Sequence, residues 1–190
     1  MTSVFASVQR LGLALYGRRV AALAVVALGA GCAPKSPAQG APRKSQHGTV
    51  TQHVASAEIA IEYNRPVARG RPLFGGIVPW GRVWCPGADT ATTIRFNVDV
   101  LLDGHTVRAG TYSVWAIPDS ARWTLILSTA QPVFHVPYPE GRDALRIPVI
   151  PKRGEHVETL SFGFPMVDAD SAVLRLQWGT TMLDVGIRAH

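Results

Sequence analysis

The chain has 190 residues, 47% of them hydrophobic and 17% charged, with a formal net charge of +6. That balance excludes a disordered chain and suffices for one folded domain with extensions. The charge does not imply nucleic-acid binding: six of the 19 Lys and Arg (Arg10, Arg18, Arg19, Lys35, Arg43, Lys44) precede Gly48, and the remaining 13 meet 13 Asp and Glu, so the folded part lacks the net basic excess of a phosphate-binding groove.

Arg18 and Arg19 lead into the apolar run 20–28, followed by Gly29, Ala30, Gly31 and Cys32. Basic, apolar and small residues in that order describe a secretory signal peptide over residues 1–31. The apolar run is too short to span a bilayer, which takes about 20 residues. Small residues ending in a cysteine resemble a bacterial lipobox, which implies cleavage before Cys32 and lipid attachment to its sulfur. The usual lipobox has a larger apolar residue three places before the cysteine; here Gly29 holds that place and Leu28 stands one earlier. Cleavage to a freely soluble product is therefore the other reading. Residues 32–47 carry Pro34, Pro37 and Pro42 among Ser, Gln, Gly and Lys, the composition of a disordered linker. The expected location is the cell envelope, with the lipid anchor holding the domain at a membrane and facing the periplasm or the exterior.

From residue 48 to 190 the chain reads as a single domain. Period-2 alternation predicts strands at 49–54, 58–63, 92–98, 100–102, 105–108, 111–117, 123–128, 144–150, 157–164, 172–178 and 181–188. Ile59, Ile61, Ile94, Phe96, Val98, Tyr112, Val114, Leu125, Leu127, Leu160, Phe162, Leu174, Leu176, Leu183 and Val185 lie on their apolar faces. Asp103-Gly104 between two apolar runs predicts a two-residue hairpin turn. Turn residues recur every 8–12 positions and no window has a helical period. The expected fold is all-β: an antiparallel β-sandwich of Ig-like or jelly-roll type, with enough apolar surface for two packed sheets and no need of a metal or disulfide.

One stretch breaks the alternation. Residues 63–94 contain four arginines (Arg65, Arg69, Arg71, Arg82), Trp80 and Trp84, four prolines and five glycines, with no acidic residue between Glu62 and Asp89. This predicts one long ordered Arg/Trp-rich loop that presents side chains. Two readings fit it. In one, the guanidinium forks gather an anionic ligand while Trp80 or Trp84 stacks on a sugar ring or an arginine. In the other, the arginines pair with carboxylates and pin the loop to the sandwich, and Trp84 is core. Residues 131–142, with Phe134, His135, Tyr138 and Glu140 between prolines, form a second irregular piece.

Nucleophile and metal motifs are absent. If Cys32 carries lipid, Cys85 is left alone, beside Arg82 in sequence; free cysteine is among the most buried residue types, and an inert thiol is the expectation. The histidines (His47, His53, His105, His135, His156, His190) are scattered without a metal-ligand spacing, and no phosphate-binding glycine loop occurs. No cofactor or metal is expected.

The run Y-N-R-P-x3-G-R-x-L-F-G-G-I-V-P-W-G-R-V-W-x-x-G-A-D-x-A-T-T-I, followed by A-G-T-Y-S-V-W-A-I-P and W-T-L-I-L, resembles the DUF2911 family, exported bacterial proteins of unknown function that are often lipoproteins. The resemblance covers nearly all of residues 49–188. The chain departs from the family pattern W-R-x-G-A-N-E-A-T-T, with Cys85 for the arginine, Asp89 for Asn and Thr90 for Glu.

The function expected from the sequence is non-enzymatic: an envelope binding or interaction module for an anionic or glycan ligand or an envelope protein. Its expected site residues are Tyr63, Arg65, Arg69, Arg71, Trp80, Arg82, Trp84, Asp89 and His135. The alternatives are an envelope glycan or ester hydrolase using His135 or Asp89 as general base, and a structural subunit of an envelope assembly.

Overall fold

The computed structural model describes residues 44–189. The expected signal peptide, Cys32 and most of the linker lie outside the described residues. Ten strands make up the fold: β1 (Gln46–Val54), β2 (Ala57–Arg65), β3 (Thr93–Phe96), β4 (Val100–Leu102), β5 (His105–Val107), β6 (Gly110–Ile117), β7 (Trp123–Ser128), β8 (Asp143–Val149), β9 (Lys152–Val167) and β10 (Ser171–Ala189). They form a six-stranded sheet in the order β1-β2-β3-β6-β7-β8 and a four-stranded sheet in the order β5-β4-β10-β9, both antiparallel. This is the expected all-β sandwich. β1 begins at Gln46, two residues before the domain start read from the sequence.

The core forms because alternate residues of each strand face the opposite sheet. Ile59, Ile61, Ile94, Val114, Leu125 and Leu127 from one sheet meet Leu160, Phe162, Leu174, Leu176, Leu183 and Val185 from the other. A gap of about 20 Å³ between them is lined by apolar residues alone; it offers a water no hydrogen-bond partner, so the core is dry and closely packed. The Asp103-Gly104 turn has φ of 45° and 81° at its two central residues, the left-handed pair that a type I′ hairpin between β4 and β5 requires. The Asp103 carboxylate also accepts a bond from the Gly186 amide at 2.7 Å, tying the hairpin to β10.

Residues 172–178 and 181–188, expected as two strands, are one strand. Alternation stops at Trp178 and resumes at Thr181 because β10 turns at Gly179, which sits at φ 58°, while pairing to β9 continues through register shifts on either side. Arg175 and Asp184 measure the bend. Nine residues of straight strand span about 30 Å, yet Arg175 Nε donates to Asp184 Oδ1 at 2.7 Å and Nη2 to Oδ2 at 2.9 Å. Lys152 Nζ adds a third contact at 3.2 Å. Arg175, with Lys152 behind it, holds the Asp184 carboxyl below the ordinary carboxylate range against the opposing effect of burial.

A depressed folded-state value stabilises the fold fully above the unfolded carboxylate pKa of about 3.9, and the contribution is lost as pH falls through the lowered value. Asp184→Asn is therefore expected to cost about 1–2 kcal/mol at neutral pH, the low end for charged hydrogen bonds because Arg175 is partly exposed. It is also expected to flatten the loss of stability below about pH 4. Urea melts at neutral and acid pH read both.

β6 and β7 are buried on both faces. Their inner face meets the four-stranded sheet. Their outer face carries Trp115 and Ile126 under residues 79–92 and 129–142, where Cys85, Ala91, Val83, Val133 and Tyr138 close over them as a second, smaller core. Two irregular segments thus fold onto the sheet because there is apolar surface for them to cover.

Candidate functional site

The irregular stretch, residues 66–92, is held along its whole length. Near its start Val67 bridges Thr159, Ala68 N donates to Glu158 O at 2.8 Å and Leu160 N to Pro66 O at 2.9 Å, so the chain leaves β2 by running beside β9. Phe74 and Val78 bridge across a tight turn. Further on, Trp84 exchanges both backbone bonds with Ala116 at 2.8 Å. β3 flanks only residues 110–113 of β6, and Trp84 takes up the edge that β3 leaves. That strand-like pairing sends Trp84 inward and Cys85 outward. At the end, Ala91 N donates to Val133 O and His135 N to Asp89 O, both at 2.9 Å, joining the stretch to residues 129–138.

Three of the four arginines hold the chain. Arg71 donates to its own loop, Nε to Ala68 O and Nη2 to Val67 O, both at 2.8 Å. Arg65 Nε reaches Leu160 O at 3.4 Å. The Arg69 side chain reaches Lys44 O at 3.3 Å, while its amide, in a left-handed residue, donates to the Glu158 carboxylate. Tyr63 is buried: its ring packs edge-on against Phe162 and its hydroxyl accepts from Phe162 N at 3.2 Å. Asp89 and His135 meet, since His135 Nδ1 lies 2.8 Å from the Asp89 carbonyl as well. A carbonyl only accepts, so the Nδ1 proton is fixed there. Arg82 is exposed and forms no ion pair among the described residues.

The tryptophans gather around Phe74. Its ring lies 4.7 Å from Trp123, 5.7 Å from Trp84, 6.1 Å from Trp80 and 6.3 Å from Trp178. Trp84 and Trp178 stack at 6.0 Å and 11°. Trp123 and Trp178 are buried, Trp84 is half-buried, and Trp80 is 47% exposed. Trp80 forms the common wall of two adjoining depressions. One, about 330 Å³, is lined by Leu73, Phe74, His156 and Trp178. The other, about 230 Å³, is lined by Asp119, Ser120, Lys152 and Arg153. Both include Thr180 and Thr181 at the bend of β10. Gly81 N donates to Pro118 O at 2.8 Å, which fixes Trp80 and Arg82 beside the β6–β7 turn. Arg153, like Arg82, is exposed without an ion pair among the described residues.

The site residues read from the sequence therefore separate. Trp80 and Arg82 face solvent at one end of the sandwich, Trp84 packs beneath Trp80's neighbours, Asp89 and His135 fasten two loops together, and Arg65, Arg69 and Arg71 bind backbone. Thr180, Thr181, His156 and Arg153, which complete the Trp80 surface, were missed because they come from the bend of β10 and the first part of β9, both distant in sequence from Trp80. His47 and His53 lie six residues apart on β1.

Cys85 is 2% exposed. Burial pushes its thiol up to about 12, only partly offset by the bond it accepts from Thr92 N at 3.4 Å. It is expected to be unreactive. In a Cys32→Ala chain, a thiol reagent at pH 8 should label Cys85 only after denaturant is added; fast labelling of the native protein would refute this. Among the described residues no group of three or more His, Cys, Asp or Glu is placed to hold a metal ion.

No curated protein and no solved structure matches the chain. A family model described as a protein of unknown function, DUF2911, matches residues 45–187, spanning β1 to the last turns of β10. The chain belongs to the DUF2911 family.

Proposed function

We propose that this protein is an exported, lipid-anchored binding module of the cell envelope, and that the Trp80 end of the sandwich is its recognition surface for an anionic glycan. The observation that carries the reading is the half-exposed indole of Trp80 between two depressions, on a loop whose backbone is tied down on both sides. A large aromatic held half-exposed on a fixed loop suits stacking on the apolar face of a sugar ring. The unpaired guanidinium groups of Arg82 and Arg153 supply charge for a carboxylate or phosphate, and Thr180 and Thr181 supply hydroxyls for orientation. The basic, apolar and small residues leading to Cys32 support export and the anchor.

The test is a thermal-shift screen of the full chain in detergent. The panel holds oligogalacturonate and muramyl peptides as anionic glycans, maltooligosaccharides as neutral ones, and inorganic phosphate. A ligand that binds only the native state raises Tm by mass action. The expected result is a shift with the anionic glycans that Arg82→Ala reduces. No shift with any member of the panel counts against the reading.

A further inference from the structure

A concavity of about 440 Å³ lies elsewhere, on the outer face of the six-stranded sheet. The register explains why it is there. Thr51, Ala60, Arg95 and Thr111 form one row across β1, β2, β3 and β6, and Thr49, Glu62, Thr93 and Ser113 form the next. All of these side chains point away from the core, because their strand neighbours Ile59, Ile61, Ile94 and Tyr112 point into it. Ala60 is the short member of its row and forms the floor. The walls come from the joined loops, through Thr90, Ala91, Gln131 and Pro132, and from His47 at the start of β1. Asn64, whose side-chain amide donates to Ala88 O at 2.8 Å, fixes the rim.

The charges in this basin do not balance. Arg95 stands between two carboxylates, Glu58 and Glu62, each diagonal to it in the register. Diagonal neighbours on one sheet face have Cα atoms about 7–8 Å apart, within reach of either pairing. Arg95 pairs with Glu58, which His53 also approaches at 3.7 Å and whose amide donates to Asn97 Oδ1 at 2.6 Å. Glu62 is left with no side-chain hydrogen bond or ion pair among the described residues, at the edge of a basin whose other lining groups are the Arg95 guanidinium that Glu58 neutralises, hydroxyls, amides, an imidazole and the apolar Ala60, Ala91 and Pro132. Apart from the edge of Tyr63 the lining has no aromatic wall, which separates it in chemistry from the Trp80 surface. A concave cavity of this size, with a few polar groups set in a more apolar lining, suits a small molecule, and an unpaired carboxylate at its edge selects a cation that donates hydrogen bonds.

We infer that this basin is a second binding site, for a small polar molecule carrying a primary ammonium group, with Glu62 as its counter-charge. The ammonium sits on Glu62, and the ligand's hydroxyl or amide groups meet Thr93, Thr111, Asn64 and Gln131. Both an amino sugar and an amino acid or short peptide present this chemistry.

Calorimetric titration of the full chain in detergent tests this, with glucosamine, alanine and alanyl-alanine as probes and the N-acetyl form of each as control. The expected result is binding by at least one amine, at least tenfold weaker binding by its N-acetyl form, and a loss of tenfold or more in both Glu62→Gln and Ala60→Leu. The first variant removes only the charge; the second fills the floor and leaves every charge in place. Both positions lie on the outer face, so melting temperatures close to the parent's establish that the variants fold. The sugar and peptide arms tell the two sources apart. Binding that acetylation leaves unchanged, binding that survives both variants, or no binding by any probe overturns the inference.

Discussion

Trp123→Ala is expected to lower the stability of the domain by about 3–5 kcal/mol, the range for truncating a fully buried large aromatic. Trp123 is 1% exposed, at the start of β7, and its ring packs edge-on against Phe74 at 4.7 Å and Trp84 at 6.3 Å. Alanine there opens a cavity between the sheets and removes the floor on which the irregular stretch rests. The sandwich is otherwise closely packed, so its neighbours relax only partly into the space. Urea unfolding followed by circular dichroism measures the cost. A loss under about 1 kcal/mol would mean that the aromatic cluster is not a support for the loop, in conflict with the packing described here.

Trp80→Ala is expected to do the reverse. Stability should change by no more than about 1 kcal/mol, since the indole is half-exposed and, among the described residues, its one aromatic ring contact is with Phe74. Affinity for the anionic glycan should fall at least about tenfold, as for an aromatic anchor at the centre of a recognition surface. Arg82→Ala should weaken binding less and make it less sensitive to salt, since an exposed charge acts through a screened interaction. The pairing of Trp123 with Trp80 separates support from recognition within one aromatic cluster. Equal stability losses from both, with no effect of either on binding, would assign the whole cluster to the core.

Much of the sandwich was legible because a half-buried strand has to alternate. Ile59 and Ile61, Ile94 and Phe96, and Leu174 and Leu176 carry the period-2 signal, and Asp103-Gly104 names its own turn. The bend of β10 was not legible. A glycine after a tryptophan ends a strand or kinks one with equal ease, and the pairing to β9 that continues across Gly179 distinguishes the two. The second small core was hidden for a related reason: Trp115 and Ile126 sit in strands apolar on both faces, which look the same whether the outer face meets a sheet or a loop.

The site divides along the same line. The sequence marks Trp80 and Arg82 by composition, but it marks Arg65, Arg69 and Arg71 equally, and those bind backbone carbonyls whose positions depend on the fold. The basin around Glu62 left only a faint trace, a short Ala60 among longer polar neighbours. Its walls depend on the pairing of Ala91 with Val133 and of Asp89 with His135, which are far apart along the chain.

In the proposed function Trp80 is the ligand-facing indole, and nitrogen-15 NMR of the full chain in detergent micelles reads this directly. The five tryptophans give five indole N–H resonances, assigned by single substitutions, and oligogalacturonate and muramyl peptide are titrated in turn. The expected result is a saturable shift of the Trp80 resonance with at least one of these glycans, while Trp115, buried under the loops on the outer face of the sheet, stays in place. A titration in which Trp80 does not move contradicts the account.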